Sequence, residues 1–245
     1  MKKIIGLILI SLLLAAGVFA VSIYGELRKT ADDSPLVWEP EIAHFEKEDV
    51  ENPPPTDAVL FVGSSSIRFW HSLEEDMAPL VTIRRGFGGA RIKDVVHYAG
   101  RLINRYSPST VVLFVGSNDI NVSDTPMDVV PVIAEGLQRL VDIIHESNGK
   151  TEIYYLAITP TPFSWRKRDA VRAANSAAEA VMSKAARAHF IATSDLFLDA
   201  SGKPDRNLFR LDGLHLSDAG YERWTGRIKP ILIDNLAARA SAEAI

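Results

Sequence analysis

Five short apolar runs recur after residue 57, and longer stretches with helical spacing fill the gaps between them. AVLFV (58–62), VTIRR (81–85), TVVLFV (110–115), EIYYLAI (152–158) and HFIAT (189–193) carry the branched and aromatic residues of β-strands. AVLFV and TVVLFV are apolar without alternation, the pattern of parallel strands covered on both faces. Between the runs, residues 91–106 set Ile92, Val95, Val96, Ala99, Leu102, Ile103 and Tyr106 at helical spacing. Residues 126–146 follow a capping Asp124 or Thr125, with Pro126 suited to the first turn. Residues 165–188 are alanine-rich, and a last helix is expected near Ser217, with Ser217 and Asp218 as its natural caps. The alternation predicts an α/β chain: a three-layer, doubly wound, flavodoxin-like sheet of five mainly parallel strands with helices on both faces.

In such a sheet, ligands gather outside the carboxyl ends of the strands, where the strand order reverses. Four loops of unusual composition are expected there. GSSS (63–66) follows the first run, GFGGAR (86–91) the second, GSND (116–119) the third, and DGLH (212–215) lies beyond the last. Acyl transfer needs a nucleophile, a base and donors for an oxyanion. Ser64, Ser65 and Ser66 each offer a hydroxyl, His215 offers an imidazole, and Asp212 stands three residues before it to orient the ring. Asn118 adds an amide donor, and the glycine turns allow close backbone approach. The competing reading is a non-catalytic binding protein whose serine loop holds a phosphate or sugar at a helix N-terminus. Such a binder has no use for the acid–histidine pair at the far end of the chain, so the hydrolase reading is preferred.

These four blocks, in this order, resemble the SGNH (GDSL-type) hydrolases over about residues 57 to 225. FVGSSSI matches the nucleophile block, RGFGGA the glycine block, VGSND the asparagine block and DGLH the last. The resemblance implies a serine-dependent hydrolase of carboxylic acyl esters or thioesters, with no organic cofactor and no metal. It implies Ser65 as nucleophile, His215 as base and Asp212 as third member, with Ser65 N–H, Gly89 N–H and the Asn118 side chain as the oxyanion hole. Gly63-Ser64-Ser65 stands where the family usually has Gly-Asp-Ser, as in a subgroup with a GSSS block. The implied substrate is a small-molecule, glycan or lipid ester with a short acyl group, an acetylated sugar among the candidates. Arg68, Trp70, Phe87, Pro160, Phe163 and Trp165, with the segment ITPTPFSWRKR (158–168), are candidate pocket walls.

Three segments are expected. Residues 1–29 open with Lys2 and Lys3 and continue in an uncharged apolar run from Ile4 to Tyr24, which as a helix would span about 31 Å, the thickness of a bilayer core. They read as a membrane anchor, or as a signal peptide if cleaved after VFA (18–20), placing the remainder outside the cytoplasm. Residues 30–56 read as a tether and docking segment, in which WEPEIAHFEKEDV can form a short amphipathic helix before a proline-rich connector. Residues 57–245 form the catalytic domain. The net charge is −4, and without the four basic groups and Glu26 of the first 29 residues it is −7, which argues against nucleic acid as a partner. With no cysteine, the chain has no disulfide, no thiol nucleophile and no cysteine-ligated zinc.

Overall fold

In a computed structural model, residues 32–243 are described. The anchor or signal peptide expected at 1–29 lies outside them. Among the described residues no helix is long and apolar enough to cross a membrane.

In chain order, a 3₁₀ turn at Pro35–Trp38 leads into helix α1 (Glu39–Glu51), strand β1 (Val59–Gly63), and helices α2 (Ser65–Arg68) and α3 (Leu73–Met77). Strand β2 (Thr82–Gly86), helix α4 (Ile92–Leu102), strand β3 (Thr110–Phe114) and helix α5 (Pro126–Ser147) follow. Strand β4 (Glu152–Leu156), helix α6 (Arg168–Met182), strand β5 (Ala188–Ile191) and helix α7 (Asp218–Glu243) complete the domain. The strands run in the order β2-β1-β3-β4-β5, each neighbouring pair parallel. This is the flavodoxin-like arrangement expected from the alternation, and its order reverses between β1 and β3. The carboxyl ends of those two strands are therefore where a crevice opens.

Strand residues alternate between two cores. Leu60, Val62, Val111, Leu113, Ile153 and Tyr155 face α4, α5 and α6, together with Trp38 and Ile42 from the start of the described chain. Val59, Phe61, Val112, Phe114, Tyr154 and Leu156 face α7 and the α2–α3 turn, where Trp70, Tyr221 and Trp224 form an aromatic cluster. The α5 start carries the expected cap: Thr125 and Asp128 form a capping box, with proline in the first turn. Two helices are shorter than their apolar spacing suggests. Helix α4 ends at Leu102, and the chain tightens into a 3₁₀ turn at Asn104–Tyr106 before Ser107 takes a left-handed φ of 45°. Helix α6 ends at Met182 because the chain must reverse into β5, which Arg187 achieves with φ 53° while its guanidinium holds Glu152 at 2.6 Å.

Helix α1 is bound to the domain by charge as well as by Trp38 and Ile42. Arg101 on α4 forms paired hydrogen bonds with Glu39 (2.8 and 2.9 Å) and Glu46 (2.8 and 2.7 Å). Deeper in, Asp49 accepts from Arg85 of β2 and from the Tyr106 hydroxyl at 2.6 Å, and Arg85 also donates to Tyr106 at 2.8 Å. Burial, reinforced by the hydrogen bond to Asp49, raises the Tyr106 phenol above its ordinary range.

Candidate active site

The serine loop is shaped by the strand before it. Residue 63 ends β1, Ser64 N–H donates to Phe114 O of β3 at 3.0 Å, and the Ser64 carbonyl accepts from Ile67 and Arg68 to start α2. Ser64 is buried, and its Oγ meets no hydrogen-bond partner among the described residues. Ser65 is the first residue of α2 and is half-buried, so its N–H has no acceptor within that helix. The turn that follows is clamped from two sides. Arg84 donates to the carbonyls of Arg68 (3.0 Å) and Trp70 (2.9 Å), and the Tyr221 hydroxyl donates to Ser66 O at 2.9 Å. Glycine is required where β2 passes this helix: a Cβ on Gly86 would stand 2.3 Å from Arg68 N.

His215 reaches this serine from a hairpin before α7. Phe209 and Leu216 form its antiparallel bridge and are buried, and Arg210 N–H donates to His215 O at 2.7 Å. Asp212 sits at the tip, where its Oδ1 accepts from Leu214 N (2.8 Å) and His215 N (2.9 Å). Its Oδ2 lies 2.7 Å from His215 Nδ1, and His215 Nε2 lies 3.0 Å from Ser65 Oγ. Partial burial would raise the Asp212 pKa, but hydrogen bonds from the imidazole and the two N–H groups outweigh it and hold the carboxyl below its usual range. Ser217, predicted as the cap of the last helix, does that work by accepting from Gly220 N at 3.3 Å, which leaves Asp212 free for the imidazole. Phe69 closes the other side, its ring edge-on to His215 with centroids 4.8 Å apart, while Arg210 lies over Phe69 at 5.1 Å.

The glycine and asparagine blocks line a cavity of about 260 Å³ beside this group. Gly89 has a left-handed φ of 75°, a conformation costly for any residue with a Cβ. Asn118 is exposed, and its Nδ2 donates to Ala90 O at 3.0 Å, which ties the asparagine loop to the glycine loop and leaves the second N–H of that amide for a ligand. Asp119 turns away and accepts from Ile92 N at 3.1 and 3.2 Å, supporting α4. Burial, with Asp94 nearby, pushes the Asp119 carboxyl up to about 6 despite the Ile92 N–H.

Of the candidate walls, the 158–168 segment supplies Ile158, Thr159, Thr161, Phe163, Ser164 and Lys167 to this cavity, with Leu214 from the histidine hairpin. Trp70 does not reach it; the indole is fully buried against Phe61 and Tyr221. Arg68 and Phe87 line a different and larger groove of about 760 Å³ between α1, the prolines at 53–55 and the edge strand β2. Neither lining includes Ser65, Asp212 or His215; Leu214, next to His215 in the hairpin, ties the smaller cavity to them, together with Gly89 and Asn118. Phe69 and Tyr221, which fix the ring and the turn, were not singled out in sequence: each reads as an ordinary core aromatic on its own element.

Solved structures share this architecture. One from Streptococcus pneumoniae, provisionally described as a platelet activating factor, superposes with a TM-score of 0.69 at 19% identity, over 89% of this chain and 99% of its own. The Clostridium thermocellum family 3 carbohydrate esterase superposes with 0.59 at 20% identity, over 76% and 100%. A GDSL-like lipase from Bacteroides thetaiotaomicron gives 0.59 at 18% identity, over 79% and 98%. At such identities the likeness is one of fold. No curated protein matches the chain in sequence. The family model of the GDSL-like lipase/acylhydrolases matches residues 61–223, from the serine strand through the histidine hairpin into α7. With well over half of its length in that match and all four loops at one sheet edge, the chain is an ester hydrolase that belongs to the GDSL-like lipase/acylhydrolase family.

Proposed function

We propose that the protein hydrolyses short-chain carboxylic esters through an acyl-enzyme on Ser65. The observation that carries this reading is the unbroken line from Ser65 Oγ through the His215 ring to Asp212, with contacts of 3.0 and 2.7 Å. Ser65 Oγ attacks the acyl carbon while His215 Nε2 takes its proton, and the imidazolium that forms faces the Asp212 carboxylate. Collapse of the tetrahedral intermediate breaks the bond to the alcohol oxygen, which leaves with the proton from Nε2. Water then gives its proton to Nε2 and attacks the acyl-enzyme; Ser65 recovers that proton and the acid departs. The negative oxygen in both steps is stabilised by Ser65 N–H, Gly89 N–H and the Asn118 amide.

The cavity supports a compact substrate. At about 260 Å³ it falls below the range of roughly 300–1,000 Å³ usual for drug-sized ligands. Its polar lining of Ser117, Asn118, Asn121, Thr159 and Thr161 suits an ester with a hydroxylated alcohol, a class to which an acetylated sugar belongs. The uncharged run from Ile4 to Tyr24 supports a catalytic domain held at a membrane outside the cytoplasm.

The test is a serine-directed fluorophosphonate followed by mass spectrometry of the peptide spanning Ser64, Ser65 and Ser66. A single adduct on Ser65 that disappears in His215→Ala is expected. An adduct on Ser66 would reassign the nucleophile, and no adduct on folded protein would favour a binding protein with a silent site.

A further inference from the structure

We infer that the mouth of the active site rests on a lipid bilayer, so that the esterase proposed above works on esters presented at a membrane surface. This rests on that reading for its substrate and for the uncleaved anchor at residues 4–24, and on the geometry of the rim for its orientation. The first observation is where the described chain begins. Arg91 forms an ion pair with Asp33 at 3.2 Å and donates to Asp32 O at 2.6 Å, and Lys93 also holds Asp33. Arg91 itself lines the 260 Å³ cavity beside the catalytic line, with Gly89, Asn118 and Leu214. The chain therefore enters the domain at the rim of the site.

The second observation is length. Eight chain steps, with seven residues between, lead from Tyr24, the end of the uncharged run, to Asp32. Fully extended they reach at most about 29 Å. A domain of this size is about 44 Å across by the usual scaling of radius with length. A tether that short, fixed at the rim, cannot let the opposite end of the domain turn to the membrane, so the rim is held on the membrane side.

The third is the chemistry of the rim. Leu211 is fully exposed at the tip of the histidine hairpin, and Phe163 is 67% and Val122 70% exposed. The three belong to one surface: Phe163 N–H donates to Gly213 O at 2.9 Å, and Asn121, next to Val122, lines the same cavity as Phe163 and Leu214. Exposed Arg166, Arg206 and Arg210 lie on the segments that carry Phe163 and Leu211. Apolar tips beside arginines, with Asp33 paired to Arg91 and Lys93 and Asp212 to His215, match the boundary between acyl chains and headgroups.

The absence of native cysteine allows single-site labelling of the full chain in proteoliposomes of phosphatidylcholine and phosphatidylglycerol. Leu211→Cys and Val122→Cys would carry an environment-sensitive fluorophore, with Lys150→Cys before β4 as the far-end control. A spin-labelled lipid should quench positions 211 and 122 by about half or more and leave 150 within roughly 10%, given a burial depth of about 5–10 Å for interfacial groups. Equal quenching at all three sites, or none at 211, overturns the orientation. A blue-shifted but unquenched label at 211 means that a second copy covers the rim, and overturns it too. In the same vesicles, Leu211→Asp should slow hydrolysis of bilayer-bound hexadecyl acetate, a short acyl group on a lipophilic alcohol, about tenfold by weakening interfacial burial and leave water-soluble 4-nitrophenyl acetate unchanged. Loss of neither refutes the surface-presented substrate, whereas inactivity of the unsubstituted chain on both esters refutes the esterase and leaves the quenching result standing.

Discussion

Ser65 Oγ and His215 Nε2 lie 3.0 Å apart although 150 residues separate them in the chain. The two side chains come from distant parts of the chain, one at the start of a four-residue helix and one on a hairpin closed by buried Phe209 and Leu216. If Ser65 is the nucleophile, Ser65→Ala lowers kcat by at least about 10⁴-fold, the scale of losing a triad member. Its melting temperature should match that of the unsubstituted protein, because the hydroxyl meets only His215. Ester hydrolysis alongside calorimetry checks both.

Ser64→Ala should do the opposite. Its Oγ is buried without a protein partner, so the hydroxyl bears a desolvation cost that a methyl-sized side chain does not. The variant is expected to keep full activity and to melt about 2 °C higher, as roughly 0.5–1 kcal/mol would give in a domain of this size. A large loss of activity would mean that this hydroxyl acts on its neighbour.

Asn118→Ala isolates the oxyanion contribution. The side chain is exposed and, among the described residues, its hydrogen bond goes to Ala90 O, so little stability depends on it. Turnover should fall by about 10² or more with KM nearly unchanged, as for other single oxyanion donors. A fully active variant would remove Asn118 from the site.

The parts that could be read in sequence are those in which one residue type has one use. The apolar runs at 58–62 and 110–115 are understandable only as strands buried on both faces, and they form the centre of the sheet around its switch point. The DGLH block was legible because Asp212 and His215 are neighbours in sequence as well as in space. Phe69 and Tyr221 were not, since their roles come from contacts with residues far along the chain, His215 and Ser66. The ends of α4 and α6 were also hidden: isoleucine and alanine continue a helical pattern past Leu102 and Met182, before Ser107 and Arg187 take left-handed conformations that lead to the next strands. The pairing of Asp49, Arg85 and Arg101 carried no signal in sequence, because contacts across the sheet edge leave no periodicity.

Asp119 gives the domain a stability that depends on pH. Its carboxyl is pushed up to about 6 by burial, above the ordinary aspartate value that applies in the unfolded chain. The folded state thus binds this proton more tightly than the unfolded state does. The stabilisation it brings is complete below about pH 4 and is lost as pH rises through about 6. Asp119→Asn keeps an acceptor for Ile92 N–H and carries no charge. The difference in melting temperature, variant minus unsubstituted protein, should therefore grow between pH 4 and 7. A constant difference across that range would show that Asp119 titrates normally.

The buried Arg85–Asp49–Tyr106 group makes α1 part of the domain rather than a loose leader. Asp49 is the acceptor for both neighbours, and Arg85 is itself buried on β2. Asp49→Ala leaves a guanidinium in the interior without its partner, which costs about 3–5 kcal/mol in comparable cases. At about 2–4 °C per kcal/mol, the melting temperature should fall by roughly 10 °C. Adding Arg85→Met to Asp49→Ala removes the stranded charge, so the double variant should recover a large part of the loss, and the two effects should be strongly non-additive. The same cycle measures how far α1 supports catalysis, because β2 runs from Arg85 into Gly86, which touches the nucleophile helix at Arg68. If the single variant melts as the unsubstituted protein does, α1 is held by Trp38, Ile42 and the pairs of Arg101 and Arg105 with Glu39 and Glu46.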